Sequence, residues 1–126
     1  MNINKFIELI KNRLHIYSAK TYKDGSTVFC DYIDRKYNFG ILESECPYVN
    51  GEKHGIVKWY YTTGELWTEL LFKSGKEFGI RKEYYKSGKL VSEVPYKNGK
   101  KHGTYKEYDE NGKLSFEIQY ENGKKL

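Results

Sequence analysis

Cysteine, methionine and alanine are scarce in this chain, and long hydrophobic runs are missing. The two cysteines, Cys30 and Cys46, lie in no CxxC pair or other metal-ligand spacing, which argues against a zinc knuckle. They are expected as thiols of a reducing compartment, with a single disulfide between them left open. No stretch approaches the roughly 18 apolar residues of a membrane span. The opening MNINKFIELIKNRLHIYS is broken by Glu8, Lys11 and Arg13 and leads to no small-residue cleavage site, so it does not read as a secretory signal. A cytoplasmic protein is the expectation.

Charge of one sign is lacking too. The 22 basic and 17 acidic residues leave a net +5, interleaved rather than blocked. Basic residues alternate with tyrosine over 96–108, as in single-strand binders, but Glu77, Glu83, Glu107, Asp109 and Glu110 interrupt the basic stretches. Nucleic acid is not expected as a partner. Catalytic groupings are also missing. The three histidines, His15, His54 and His102, have no Ser or Cys with a carboxylate behind it. The glycines lack the strand–loop–helix setting of a phosphate loop. No catalytic residue, metal ligand or cofactor is expected, and the chain does not read as an enzyme.

What is abundant is aromatic and periodic. Thirteen Tyr, six Phe and two Trp in 126 residues favour strands over helices and fit a single domain. VNGEKHGIVKWYYTTGEL at residue 49, KSGKEFGIRKEYYKSGKL at 73 and KNGKKHGTYKEYDENGKL at 97 repeat with a period of 24. Gly51, Gly75, Gly99 and Gly123 form one turn series and Gly64, Gly88 and Gly112 a second. Each marks a tight turn between strands, giving an all-β antiparallel meander with two strands per unit. Units run over 48–71, 72–95 and 96–119, after a degenerate unit at 21–47 and before a truncated one at 120–126. Ile3, Phe6, Ile7, Ile10, Leu14 and Tyr17 predict one short helix over 4–17, within a capping segment 1–20. Lys124 and Lys125 are expected to discourage edge pairing at the back.

The register is argued from the pattern. A three-residue loop ending in a left-handed Gly64 would pair Tyr60 with Leu66 and Trp59 with Trp67. That places Ile56, Tyr60, Leu66, Leu70 and Phe72 on one face, as a sheet needs. Gly55, Gly79 and Gly103, at strand starts, are expected beneath a neighbouring aromatic ring. Glu69, Glu93 and Glu117 recur, and each is expected to bind a turn backbone or a local cation. His54 and His102 share their position with Phe78, which makes it a packing slot.

Tyr48, Gly51, Gly55, Tyr60, Gly64, Leu66 and Glu69 fit the form Y-x-N-G-x-x-x-G-x-x-x-x-Y-x-x-x-G-x-L-x-x-E. Gly75, Gly79, Tyr84, Gly88, Leu90 and Glu93 fit it again, as do Tyr96, Gly99, Gly103, Tyr108, Gly112, Leu114 and Glu117. These units resemble the bacterial variant of the MORN repeat, over about 48–126. The resemblance extends to the YwqK family of antitoxin-like proteins. It implies a hairpin-repeat platform for proteins or acidic lipids, and a toxin as one kind of protein partner.

Departures from the repeat locate the candidate surfaces. Trp59 and Trp67 stand where later units hold Glu83 and Val91, then Glu107 and Ser115. With Val57 and Tyr61 beside them they form the candidate protein-binding patch, since tryptophan anchors interfaces. The competing role for the patch is to receive the Phe6/Ile10/Leu14 stripe of the N-terminal helix. The alternative surface is a row of turn lysines for acidic phospholipid headgroups: Lys73, Lys76, Lys97, Lys100, Lys101, Lys124 and Lys125.

Overall fold

The computed structural model describes residues 18–21 and 27–126. The helix expected over 4–17 lies outside them. A two-stranded sheet joins β1 (Ser18–Thr21) and β2 (Thr27–Cys30). The main sheet then runs through β3 (Tyr32–Asn38), β4 (Ile41–Val49), β5 (Glu52–Lys53), β6 (Gly55–Tyr60) and β7 (Leu66–Lys73). It continues through β8 (Lys76–Tyr84), β9 (Leu90–Lys97), β10 (Lys100–Lys101), β11 (Gly103–Tyr108), β12 (Leu114–Glu121) and β13 (Lys124–Lys125). Spatial order follows chain order, β13-β12-β11-β9-β8-β7-β6-β4-β3, with β10 on β9 and β5 on β4. It is an antiparallel meander of hairpins.

The turns explain the glycine series. Asn50-Gly51, Ser74-Gly75, Asn98-Gly99 and Asn122-Gly123 place both residues at positive φ, from 49 to 51° and from 78 to 85°. That is the two-residue turn whose twist suits a hairpin, and Asn followed by Gly tolerates it best. The degenerate unit turns through Phe39-Gly40 at φ 48° and 77°, one residue tighter than the Gly64-type loops.

The register differs from the expectation. Tyr60 does face Leu66, but Trp59 faces Thr68, because the bulge inserts Trp67 as an extra residue. The same insertion recurs at Val91 and Ser115. It shifts every later pair by one, so the expected single face is split. Val57 opposes Leu70 and Gly55 opposes Phe72 on one face, while Ile56 opposes Leu71 and Lys58 opposes Glu69 on the other. The first face holds the core: Cys46, Val57, Leu70 and Phe72, with Tyr48, Trp59 and Tyr96 packed against it. Cys30 and Cys46 are buried and joined by no disulfide.

Each strand-start glycine stands directly opposite an aromatic residue of the next strand: Gly55 opposite Phe72, Gly79 opposite Tyr96 and Gly103 opposite Tyr120. A Cβ on Gly103 would meet Pro95 at 3.0 Å, and one on Gly79 would meet Leu71 at 3.7 Å. Proline and leucine fill those places because the neighbouring strand presents them there. At the back, Lys124 and Lys125 pair with Glu121 and Tyr120 alone, so they shield only the end of β12.

Candidate functional site

The bulge decides which side chains gather at the Gly64-type turns. Trp59, Tyr61 and Trp67 line one cleft of about 490 Å³ together with Phe39, Ile41 and Lys86. The Tyr61 and Trp67 rings lie 6.0 Å apart, tilted 37°. Tyr61 donates its hydroxyl to the Tyr84 carbonyl at 2.7 Å, and Lys86 Nζ sits 5.6 Å from its ring. Three of the four residues expected in the patch are therefore brought together. Val57 is not among them: it is 1 % exposed and belongs to the core. The extra residue in β7 put Val57 on the inner face, opposite Leu70.

Phe39 and Ile41 belong to the cleft and were not foreseen. Phe39 is 99 % exposed on the two-residue turn, at φ 48°. An aromatic residue in the left-handed region, with its ring in water, is costly on both counts. The usable signal was NFG in the degenerate unit, where later units carry polar TTG, KSG and ENG.

The turn lysines line the opposite edge. Lys73 pairs with Lys76 and Lys97 with Lys100 across their turns. Successive turns are stitched by backbone bonds from Gly75 N–H to Lys53 carbonyl, Gly99 to Glu77, and Gly123 to Lys101, at 2.8–2.9 Å. Two of the lysines also lie over aromatic rings: Lys73 over Phe78 at 5.6 Å, and Lys101 over Tyr120 at 5.0 Å.

The repeated glutamates do something not expected. Glu69 and Glu93, and Glu45 before them, each accept a hydroxyl from the tyrosine of the next unit: Tyr60 to Glu45 at 2.9 Å, Tyr84 to Glu69 at 2.8 Å, Tyr108 to Glu93 at 2.9 Å. The partners are 15 residues apart, so no local spacing announces them. The slot shared by His54 and His102 is polar as well as packed. Their Nδ1 atoms accept the N–H of Ser74 and of Asn122 at 3.2 Å.

Burial and the Glu45 carboxylate raise the Tyr60 pKa, and burial and Glu69 do the same to Tyr84. The hydrogen bond to Cys46 pushes Tyr48 up to about 12, and that to Glu107 does the same for Tyr105. The folded chain thus keeps protons that the unfolded chain loses above about pH 10. This stability is fully present below that pH and is lost as pH rises toward the folded values. Urea midpoints are expected flat from neutral to mildly alkaline pH, then falling as tyrosinate absorbance appears. Tyr84→Phe should reduce that alkaline slope; an unchanged slope would disprove the ladder's part in it.

Among the described residues no group of His, Cys, Asp and Glu could hold a metal. No helix there is long and apolar enough to cross a membrane, which says nothing of strands. No curated protein matches the chain in sequence. Among solved structures it is similar to the crystal structure of TarM, with a TM-score of 0.50 and 12 % identity. The match covers 99 % of this chain but 23 % of that one, and at such identity it concerns the fold alone. The family model described as MORN repeat variant matches residues 53–74, 79–98 and 101–122, just over half of the sequence. The chain belongs to the MORN repeat variant family.

Proposed function

We propose that this chain is a non-enzymatic protein-binding domain, an antitoxin- or immunity-type partner of another bacterial protein, akin to the YwqK family and acting in the cytoplasm. The observation that carries the reading is the aromatic cleft, with Phe39 fully in water on a left-handed turn beside a Trp67 that is 45 % exposed. Such a cluster anchors an apolar side chain of a protein partner, and MORN repeats are often protein- or membrane-binding. Tests should use Phe39→Ser and Trp67→Ala, because Trp59 packs against the core. Phe39→Ser should keep wild-type stability to within about 0.5 kcal/mol, while Trp67→Ala, which gives up a half-buried ring packed on Tyr61, should cost about 1–2 kcal/mol and still fold. Trp67→Ala should weaken the partner captured from host lysate by roughly thirtyfold, about 2 kcal/mol. That partner, expressed alone, should be toxic and be neutralised by co-expression with the wild-type chain. Undiminished capture by both variants would overturn the assignment of the cleft.

A second reading rests on the seven turn lysines along one edge, each expected to contribute about 1 kcal/mol near an anionic surface. It makes the chain a peripheral platform for acidic phospholipid headgroups. Sedimentation with phosphatidylserine vesicles, steeply lost as salt rises, would favour it over the protein-binding reading.

A further inference from the structure

The junction between units is built three times to one plan. β4 meets β6 through Ser44 opposite Trp59 and Glu45 opposite Lys58. β7 meets β8 through Thr68 opposite Glu83 and Glu69 opposite Lys82, and β9 meets β11 through Ser92 opposite Glu107 and Glu93 opposite Lys106. In every case the glutamate also accepts the tyrosine hydroxyl two residues beyond that lysine. One side of the junction is thus a strand bearing a cation and then a tyrosine. The other is a strand bearing a glutamate.

The two halves of this plan also stand at the two ends of the sheet. Among the described residues β12 borders β11 on one side and, on the other, only β13 opposite Tyr120 and Glu121. Leu126 N–H covers the Gln119 carbonyl. From Leu114 to Ile118 the outer edge of β12 meets no strand among the described residues. It carries Phe116-Glu117 in the register that β9 gives Ser92-Glu93, and Leu114 and Phe116 are 44 % and 43 % exposed. At the far end, β3 pairs with β4 alone among the described residues. There Arg35 opposes Glu45 and Tyr37 opposes Leu42, as Lys58 opposes Glu69 and Tyr60 opposes Leu66. Arg35 and Lys36 are exposed, and Tyr37 is 60 % exposed.

We propose that the β3 edge of one copy adds to the β12 edge of a second, antiparallel and head to tail, continuing the internal repeat across two molecules. Arg35 of the incoming copy lies opposite Glu117, and its Tyr37 hydroxyl donates to the same carboxylate. Its Gly51 N–H reaches the Lys125 carbonyl, as Gly75 reaches Lys53 within one chain. Arg35 Nε is 3.7 Å from its own Glu45. It would bridge Glu45 and Glu117, as Lys58 is placed between Glu45 and Glu69. This is strand addition at an open edge. The two surfaces differ, so the contact does not close on itself and linear oligomers result. It uses neither the cleft nor its partner, so the two proposals stand or fall separately.

Sedimentation velocity of the full chain, from micromolar to near-millimolar at physiological salt, is the test. The wild type should gain mass continuously, passing through dimer without stopping there. Glu117→Lys and Arg35→Glu should each stay monomeric, and an equimolar mixture of the two should regain association through restored opposite charges. Tyr37→Phe, which leaves the fold's own contacts in place, should lower the association constant about tenfold, the effect of one charge-assisted hydrogen bond. A wild type monomeric throughout, a closed dimer that grows no further, or a mixture that fails to associate would each overturn the proposal.

Discussion

Replacing Leu70 with alanine is expected to lower the free energy of unfolding by about 2–5 kcal/mol, the range for a buried leucine truncated to a cavity. Leu70 is 4 % exposed and lies opposite Val57, itself 1 % exposed, with Cys46 and Phe72 completing the cluster. A sheet of hairpins has few such residues, so the loss cannot be spread over a large core. The same truncation at Leu114 serves as the control. That residue is 44 % exposed on the last full hairpin and should cost well under half as much. Urea denaturation of both variants checks the prediction, the midpoint moving and the slope staying constant. Equal losses at the two positions would mean that burial does not concentrate in the early units.

That concentration was only partly legible in the sequence. Turn positions could be read because Asn-Gly at a 24-residue period serves one conformation, and the positive φ pairs at 50–51, 74–75, 98–99 and 122–123 are that conformation. The register could not be read. Tyr60 opposite Leu66 is compatible with two continuations beyond the turn, and both put aliphatic residues on a common face. Only three-dimensional packing chooses the bulge that makes Trp67 the extra residue and turns Val57 inward. The tyrosine–glutamate ladder escaped for a related reason, since its partners sit on different units 15 residues apart. For the cleft, Trp59, Tyr61 and Trp67 were found because they depart from the repeat. Phe39 escaped because the unit at 21–47 is degenerate and its turn is one residue shorter than the Gly64-type loops, so no repeat position announces it.

Gly103→Ala should be among the most damaging substitutions outside the core, and its size separates two kinds of glycine. Its φ of 117° lies where an L side chain strains the backbone by about 1–3 kcal/mol. A Cβ there would also stand 3.0 Å from Pro95 Cγ and 3.3 Å from its Cβ. Pro95 is held in β9 opposite Ile80, and its carbonyl accepts the His102 N–H at 3.0 Å, so the ring cannot swing aside as a long side chain would. Relieving that contact means shifting backbone, an overpacking cost of about 1–3 kcal/mol more. Gly112 provides the comparison, because it shares a positive φ of 83° but has nothing within 4 Å of the place an added methyl would take. Gly112→Ala should therefore show the backbone cost alone, and Gly79→Ala, whose nearest neighbour is Leu71 at 3.7 Å, should resemble it. Thermal or urea unfolding of the three variants yields the steric part as a difference. If Gly103→Ala is no worse than Gly112→Ala, the strand-start glycines serve turn geometry only. If it is worse by the expected margin, the bare backbone at 103 is what lets Pro95 of one hairpin settle against the next, and the close stacking of units depends on it.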